Sequence, residues 1–143
     1  MVRPPDDLCS ERTVVVLGHG TTLDTGADYP LMSDATQWNR LLFLSGRAAV
    51  YPATGALRAE NFAHQLRIVL EDCFAVLAAA GSGPENVLRV ECWLVDRGDF
   101  PELNAQFIAA FEPPRPARST FIVAGLPIDG LLVELQLTAG VPA

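Results

Sequence analysis

Residues 113–136, PPRPARSTFIVAGLPIDGLLVELQ, restrict the fold more than any other part of the chain. They read as two strands, 119–124 and 131–138, joined by GLPIDG. In the second strand Leu131, Val133, Leu135 and Leu137 share one face, and Leu132, Glu134, Gln136 and Thr138 share the other. Arg118 stands at the mouth of the first strand and Glu134 lies inside the second, each a lone charge in an apolar run. Burying an unpaired charge is expensive, so such interruptions mark a surface, an ion pair or a ligand. The pattern alone is compatible with an Arg118–Glu134 pair across neighbouring strands and equally with a binding site.

The rest of the chain supplies the layers around this segment. Residues 13–17 (TVVVL) are a β-branched run and read as a strand. Residues 18–30 form a glycine-rich loop without the Gly-Lys-Ser/Thr ending of a phosphate-binding loop, and His19 there is a loop side chain or a ligand-facing group. Residues 40–45 (RLLFLS) form a short buried strand. Phe43 stands where a nucleophile elbow needs its first glycine, so Ser45 is not read as a nucleophile. YPATG follows as a turn.

Residues 61–80 carry Phe62, Leu66, Val69, Leu70, Cys73, Leu77 and Ala80 at three- and four-residue steps, an amphipathic helix ended by Gly81. His64 lies off that stripe and reads as solvated. Residues 88–95 alternate as a strand, with Leu88, Val90, Cys92 and Leu94 on one face. Asp99 and Glu102 resemble a capping box, Pro101 is tolerated in a first turn, and Leu103, Phe107, Ala110 and Phe111 line a second helix that PPRP ends. The order β-β-α-β-α-β-β predicts an α+β domain, one sheet with two helices packed on one face. Something must cover the other face, most simply further copies of the chain.

Composition bounds the function. The 143 residues suit one domain over 1–143, with 1–12 a loose arm, and 50% of them are hydrophobic. A net charge of −7 and the absence of a basic run weigh against nucleic acid as a partner. No apolar stretch has transmembrane length and the first residues lack a signal-peptide core, which reads as a cytoplasmic protein with no membrane partner. Cys9, Cys73 and Cys92 have no metal-site spacing and read as reduced thiols, two of them in the core. No cluster calls for a metal or an organic cofactor.

LLFLSGR (41–47), YPATG (51–55), AVLAAAG (75–81), VLRVECWLVD (87–96), DFPELNAQF (99–107), PARST (116–120) and VELQLTA (133–139) together resemble the RidA/YjgF family of reactive intermediate deaminases, once labelled endoribonuclease L-PSP. PARST is the most specific of them. The resemblance implies a chorismate-mutase-like fold and a homotrimer whose sheets form a central barrel, with sites in clefts between subunits. It implies hydrolysis of a 2-imino acid or its enamine tautomer to the 2-keto acid and ammonia, without cofactor. Carried over by motif, Arg118 holds the substrate carboxylate, Glu134 positions the water, and Ser45, Gly46 and Asn104 line the cleft. A polar strand end for Ser45 and a backbone hydrogen bond for Asn104 are the structural alternatives.

Arginine's planar fork suits a carboxylate, and a glutamate within hydrogen-bond reach can deprotonate a water. The chain leaves the family pattern at the rim. Met32 falls where an aromatic is usual, Tyr29 reaching that place only with an insertion. Arg47 stands where glutamine is frequent, Thr120 where cysteine is archetypal, and Gln136 where a second glutamate is common. Met32, Arg47 and Thr120 are therefore candidate substrate-binding positions. They leave open a divergent enzyme of a dedicated pathway, or a carboxylate-binding trimer without chemistry.

Overall fold

The computed structural model describes residues 12–15 and 32–143; the proposed arm, His19, Tyr29 and Cys9 lie outside them. Its strands are β1 (Thr13–Val15), β2 (Ala35–Trp38), β3 (Leu41–Leu44), β4 (Val87–Leu94), β5 (Ala117–Ile122) and β6 (Val133–Gly140). They form one sheet in the order β1-β2-β3-β6-β4-β5. Every neighbouring pair is antiparallel except β4 and β5. Helices α1 (Phe62–Ala79) and α2 (Phe100–Ala110) complete the fold, α2 being the crossover that a parallel β4–β5 pair requires.

Local chemistry sets the helix ends. Asn61 Oδ1 accepts from the His64 amide at 2.9 Å, capping α1, and His64 itself is exposed. At the other end Gly81 takes φ +74°, its amide donates to Ala78 O, and the Ser82 amide donates to Leu77 O. That is a Schellman cap, open to glycine because it has no Cβ to clash. The predicted capping box at Asp99 does not form. A turn of 3-10 helix over Arg97–Asp99 runs straight into α2, leaving Asp99 helical at φ −84° and ψ −6°, so its carboxylate does not turn back onto the helix amides.

The α1 stripe packs on the inner sheet face as the spacing predicts. Leu66, Val69, Cys73 and Leu77 are fully buried against Val90, Cys92, Leu135 and Leu137. Each such side chain is worth roughly 1.5–3 kcal/mol of burial. Phe111 joins the helices, ring centroid 5.6 Å from Phe74 and 4.8 Å from Phe107. Gln65 is the polar exception on α1: it is fully buried, two hydrogen bonds tie the helix to the segment before β6, and a third goes to Ala59 O just before the helix.

Three sequence expectations change. β2 is an additional strand in a stretch between the 18–30 loop and residue 40 to which the sequence assigned no element, because its ladder to β3 depends on pairing rather than on an apolar pattern. Asn39 at φ +53° makes the tight turn between them. β5 and β6 each lie two residues from their expected bounds, which preserves the faces since strands have period two. In β4 a register shift between Val87 and Arg89 buries Val87 and turns Leu88 outward, 52% exposed.

The sheet's other face carries Trp38, Leu41, Phe43 and Phe121, each more than 40% exposed. Trp93 and Phe121 stack on it, 6.0 Å apart.

Candidate functional site

Register decides where the two lone charges go. Val90 on β4 pairs with Arg118 on one side and Leu137 on the other, so Arg118 leaves the sheet toward the helices. Trp93 pairs with Phe121 and Glu134, so Glu134 leaves on the opposite face. β4 stands between their strands. The Arg118–Glu134 ion pair that the sequence left open therefore does not form within one chain.

Arg118 sits on the edge strand β5 beneath α2. Its guanidinium donates to Asn104 Oδ1 at 2.7 Å and lies 4.8 Å from the Phe107 ring centroid and 5.6 Å from that of Phe100. An amide oxygen and two ring faces hold the cation in place, each ring contributing about 0.5–1 kcal/mol. Asn104 thus bonds a side chain, not the backbone as its structural alternative supposed. No carboxylate among the described residues forms an ion pair with Arg118. Thr120, two residues along the same face, stands beside Cys92 in the β4–β5 ladder.

The remaining candidates gather elsewhere. Met32, Ser45, Gly46, Arg47 and Glu134 line one cavity of about 550 Å³ between α1 and the chain leaving β3. Glu134 reaches its mouth across Gly46, where an added Cβ would overlap Glu134 Oε1 and stand 3.0 Å from Cδ. Glycine at 46 is what lets the carboxylate lie there. Burial pushes the Glu134 carboxyl above the ordinary carboxylate range. Outward, Glu134 borders a depression shared with Trp93 and Gln136 on the exposed sheet face.

Ser45 is committed to structure: its hydroxyl donates to Ser33 O at 2.6 Å. Arg47 pairs with Asp34, which is 1% exposed, and its backbone bridges to Leu135 in both directions. The buried Arg47 Nε has no acceptor among the described residues. Among the described residues no group of His, Cys, Asp and Glu side chains is arranged to hold a metal, and no helix is long and apolar enough to cross a membrane.

Sequence reading missed Asp34, Gln65, Arg58 and Asp72. Arg58 Nη1 donates to Asp72 Oδ2 at 2.5 Å on the cavity wall. Nothing in a linear pattern joins residues so far apart, although an arginine beside YPATG and an aspartate off the α1 stripe were both visible.

A mixed sheet backed on one face by two helices is the chorismate-mutase-like α+β fold, and solved structures share it closely. A Rid-family protein of unknown function from Yersinia pestis superposes with a TM-score of 0.79 at 28% identity, covering 92% of this chain and 100% of that one. RidA from the Antarctic bacterium Psychrobacter gives 0.71 at 33% identity, covering 80% and 91%. A family profile described as Endoribonuclease L-PSP matches residues 23–141. The chain belongs to this RidA/YjgF family. Among curated relatives, the chloroplastic Reactive Intermediate Deaminase A of Arabidopsis thaliana is 36% identical over 107 residues, covering 75% of this chain and 57% of the longer plant protein. The mouse 2-iminobutanoate/2-iminopropanoate deaminase is 31% identical over 107 residues, covering 75% and 78%.

Proposed function

We propose that the protein is a homotrimeric deaminase that hydrolyses 2-imino acids, or their enamine tautomers, in clefts between subunits. The observation that carries this reading is the division of the site. Arg118, held by Asn104, leaves the sheet on its helix-backed face, Glu134 leaves on the other, and β4 lies between their strands, so the two side chains cannot meet within one chain. A second copy packed on the exposed Trp38, Phe43 and Phe121 face buries that apolar surface and brings its Arg118 to the first copy's Glu134. Relatives bearing deaminase names support the chemistry.

In this cleft the Arg118 fork binds the substrate carboxylate and fixes the imine carbon. Glu134, its carboxyl raised by burial, is placed to act as the general base. It takes a proton from water as the oxygen attacks that carbon, and the C=N bond becomes a C–N bond. The nitrogen takes up that proton and, as the new hydroxyl becomes the keto oxygen, the hydroxyl's proton as well; the C–N bond breaks and ammonia leaves, giving the 2-keto acid. Asn104 holds the guanidinium, and Gly46 leaves the carboxylate its room.

The test is release of ammonia and 2-keto acid from 2-iminobutanoate generated in situ, with oligomeric state read by light scattering. Wild type is expected to turn over as a trimer and Arg118→Ala to lose turnover while remaining one. A monomer, or a trimer inert toward every imino acid tried, would overturn the reading.

A further inference from the structure

The cavity behind Glu134 is far larger than a two-carbon side chain needs. Its volume of about 550 Å³ lies in the range of pockets that enclose drug-sized ligands. Its walls away from Glu134 are mostly apolar: Val50 and Pro52 from the β3 exit, Ala75 and Val76 from α1, Ile128 and Leu131 from the segment before β6. Among the described residues, the two guanidiniums that border it are matched by carboxylates in the same wall, Arg47 by Asp34 and Arg58 by Asp72. A second carboxylate on a ligand would therefore compete with a bonded pair for its cation, and Glu134 adds a further anion at the mouth. A hydrocarbon group meets no such competition, and it releases the water that a small substrate would leave in place.

We propose that this cavity is the substrate's side-chain pocket and that it selects 2-imino acids with an extended uncharged side chain, long alkyl or aromatic, over the three- and four-carbon acids. The proposal rests on the deaminase reading above and names its substrate class. With the carboxylate on Arg118 of the adjacent copy and the imine carbon beside Glu134, the side chain continues past Gly46 toward Ala75 and Val76. Glu91 and Gln136 lie on the outer sheet face with Glu134, whereas Arg58 and Asp72 lie on the cavity wall, so the polar groups the chain end would meet are already paired.

The experiment is calorimetric titration of the intact protein with product-class 2-keto acids: pyruvate, 2-oxobutanoate, 2-oxohexanoate, 2-oxooctanoate, phenylpyruvate and 2-oxoadipate. Affinity is expected to rise about fourfold for each methylene buried, with phenylpyruvate also tighter than 2-oxobutanoate. 2-Oxoadipate, the length of 2-oxohexanoate with a carboxylate at its end, is expected to bind at least tenfold more weakly than it. Ala75→Trp, an exposed helix position in the cavity wall, is expected to compress the ratio of 2-oxooctanoate to pyruvate affinity toward unity.

A flat or falling series that still depends on Arg118 overturns the pocket while leaving the deaminase reading intact. Tightest binding by 2-oxoadipate overturns it too, as does an unchanged ratio in a folded Ala75→Trp protein. A rising series without turnover of any imine sustains the pocket and sinks the hydrolase.

Discussion

Gln65 offers the sharpest energetic test of the fold. Its side chain is fully buried, donates to Ala59 O at 3.1 Å and Gly130 O at 2.9 Å, and accepts from the Leu132 amide at 2.8 Å. The bonds to Gly130 and Leu132 fasten α1 to the segment that delivers Leu131 to the cavity and Glu134 to its mouth. Gln65→Leu keeps roughly the volume and removes all three. At about 0.5–1.5 kcal/mol each, with two carbonyls and one amide left to find new partners, the loss centres on ~3 kcal/mol. With a urea m-value of about 2 kcal/mol/M the midpoint falls by ~1.5 M. The assay is equilibrium urea unfolding followed by far-UV circular dichroism at one fixed protomer concentration, since assembly contributes to apparent stability. Gln65→Ala adds a cavity and is expected to fall further. A leucine variant within about 0.5 kcal/mol of wild type would refute the reasoning, showing that the freed backbone groups find water.

Because burial raises the Glu134 carboxyl, the folded state holds that proton more tightly than the unfolded one. Stability from this group is present in acid and is lost as pH rises through the raised value, a slope that Glu134→Gln should remove; pH-dependent urea midpoints that run parallel in the two proteins would contradict the assignment. Gly46→Ala places a methyl against the Glu134 carboxylate, so turnover is expected to drop at least tenfold with a much smaller change in the urea midpoint; unchanged turnover would show that Glu134 has room to shift. Burial pushes the Cys73 thiol to about 12 and the Cys92 thiol to about 11. Neither should react with iodoacetamide at pH 8 until denaturant is added, and mass spectrometry of native protein labelled at either position would refute their core placement.

How legible the molecule is in its sequence varies with the kind of signal. The α1 stripe and the alternation through β6 are local periodicities, and both appear on the faces their spacing predicts. Leu88 fails because a register shift is a property of the pair β4–β6, which β4's own residues do not record. Asp99 fails because the turn before it was already helical. β2 escapes because ATQW is held by its partner strand and by one left-handed asparagine. Of the site residues, Arg118 and Glu134 stood out as charges in apolar strands, and the cavity wall of Arg58, Asp72 and Ile128 did not.

The sequence by itself determined the α+β class, the core-facing positions of its helices and last strand, the family, and the two candidate charges set within apolar strands. Burial of apolar surface at fixed periods is a short-range constraint, and it is written residue by residue. Strand order is not. Only the tertiary structure set β6 between β3 and β4 and β4 between the two charges, sending Arg118 and Glu134 to opposite faces. That placement removes the ion pair within one chain, because a sheet separates side chains whose positions in the ladder differ by an odd number of residues.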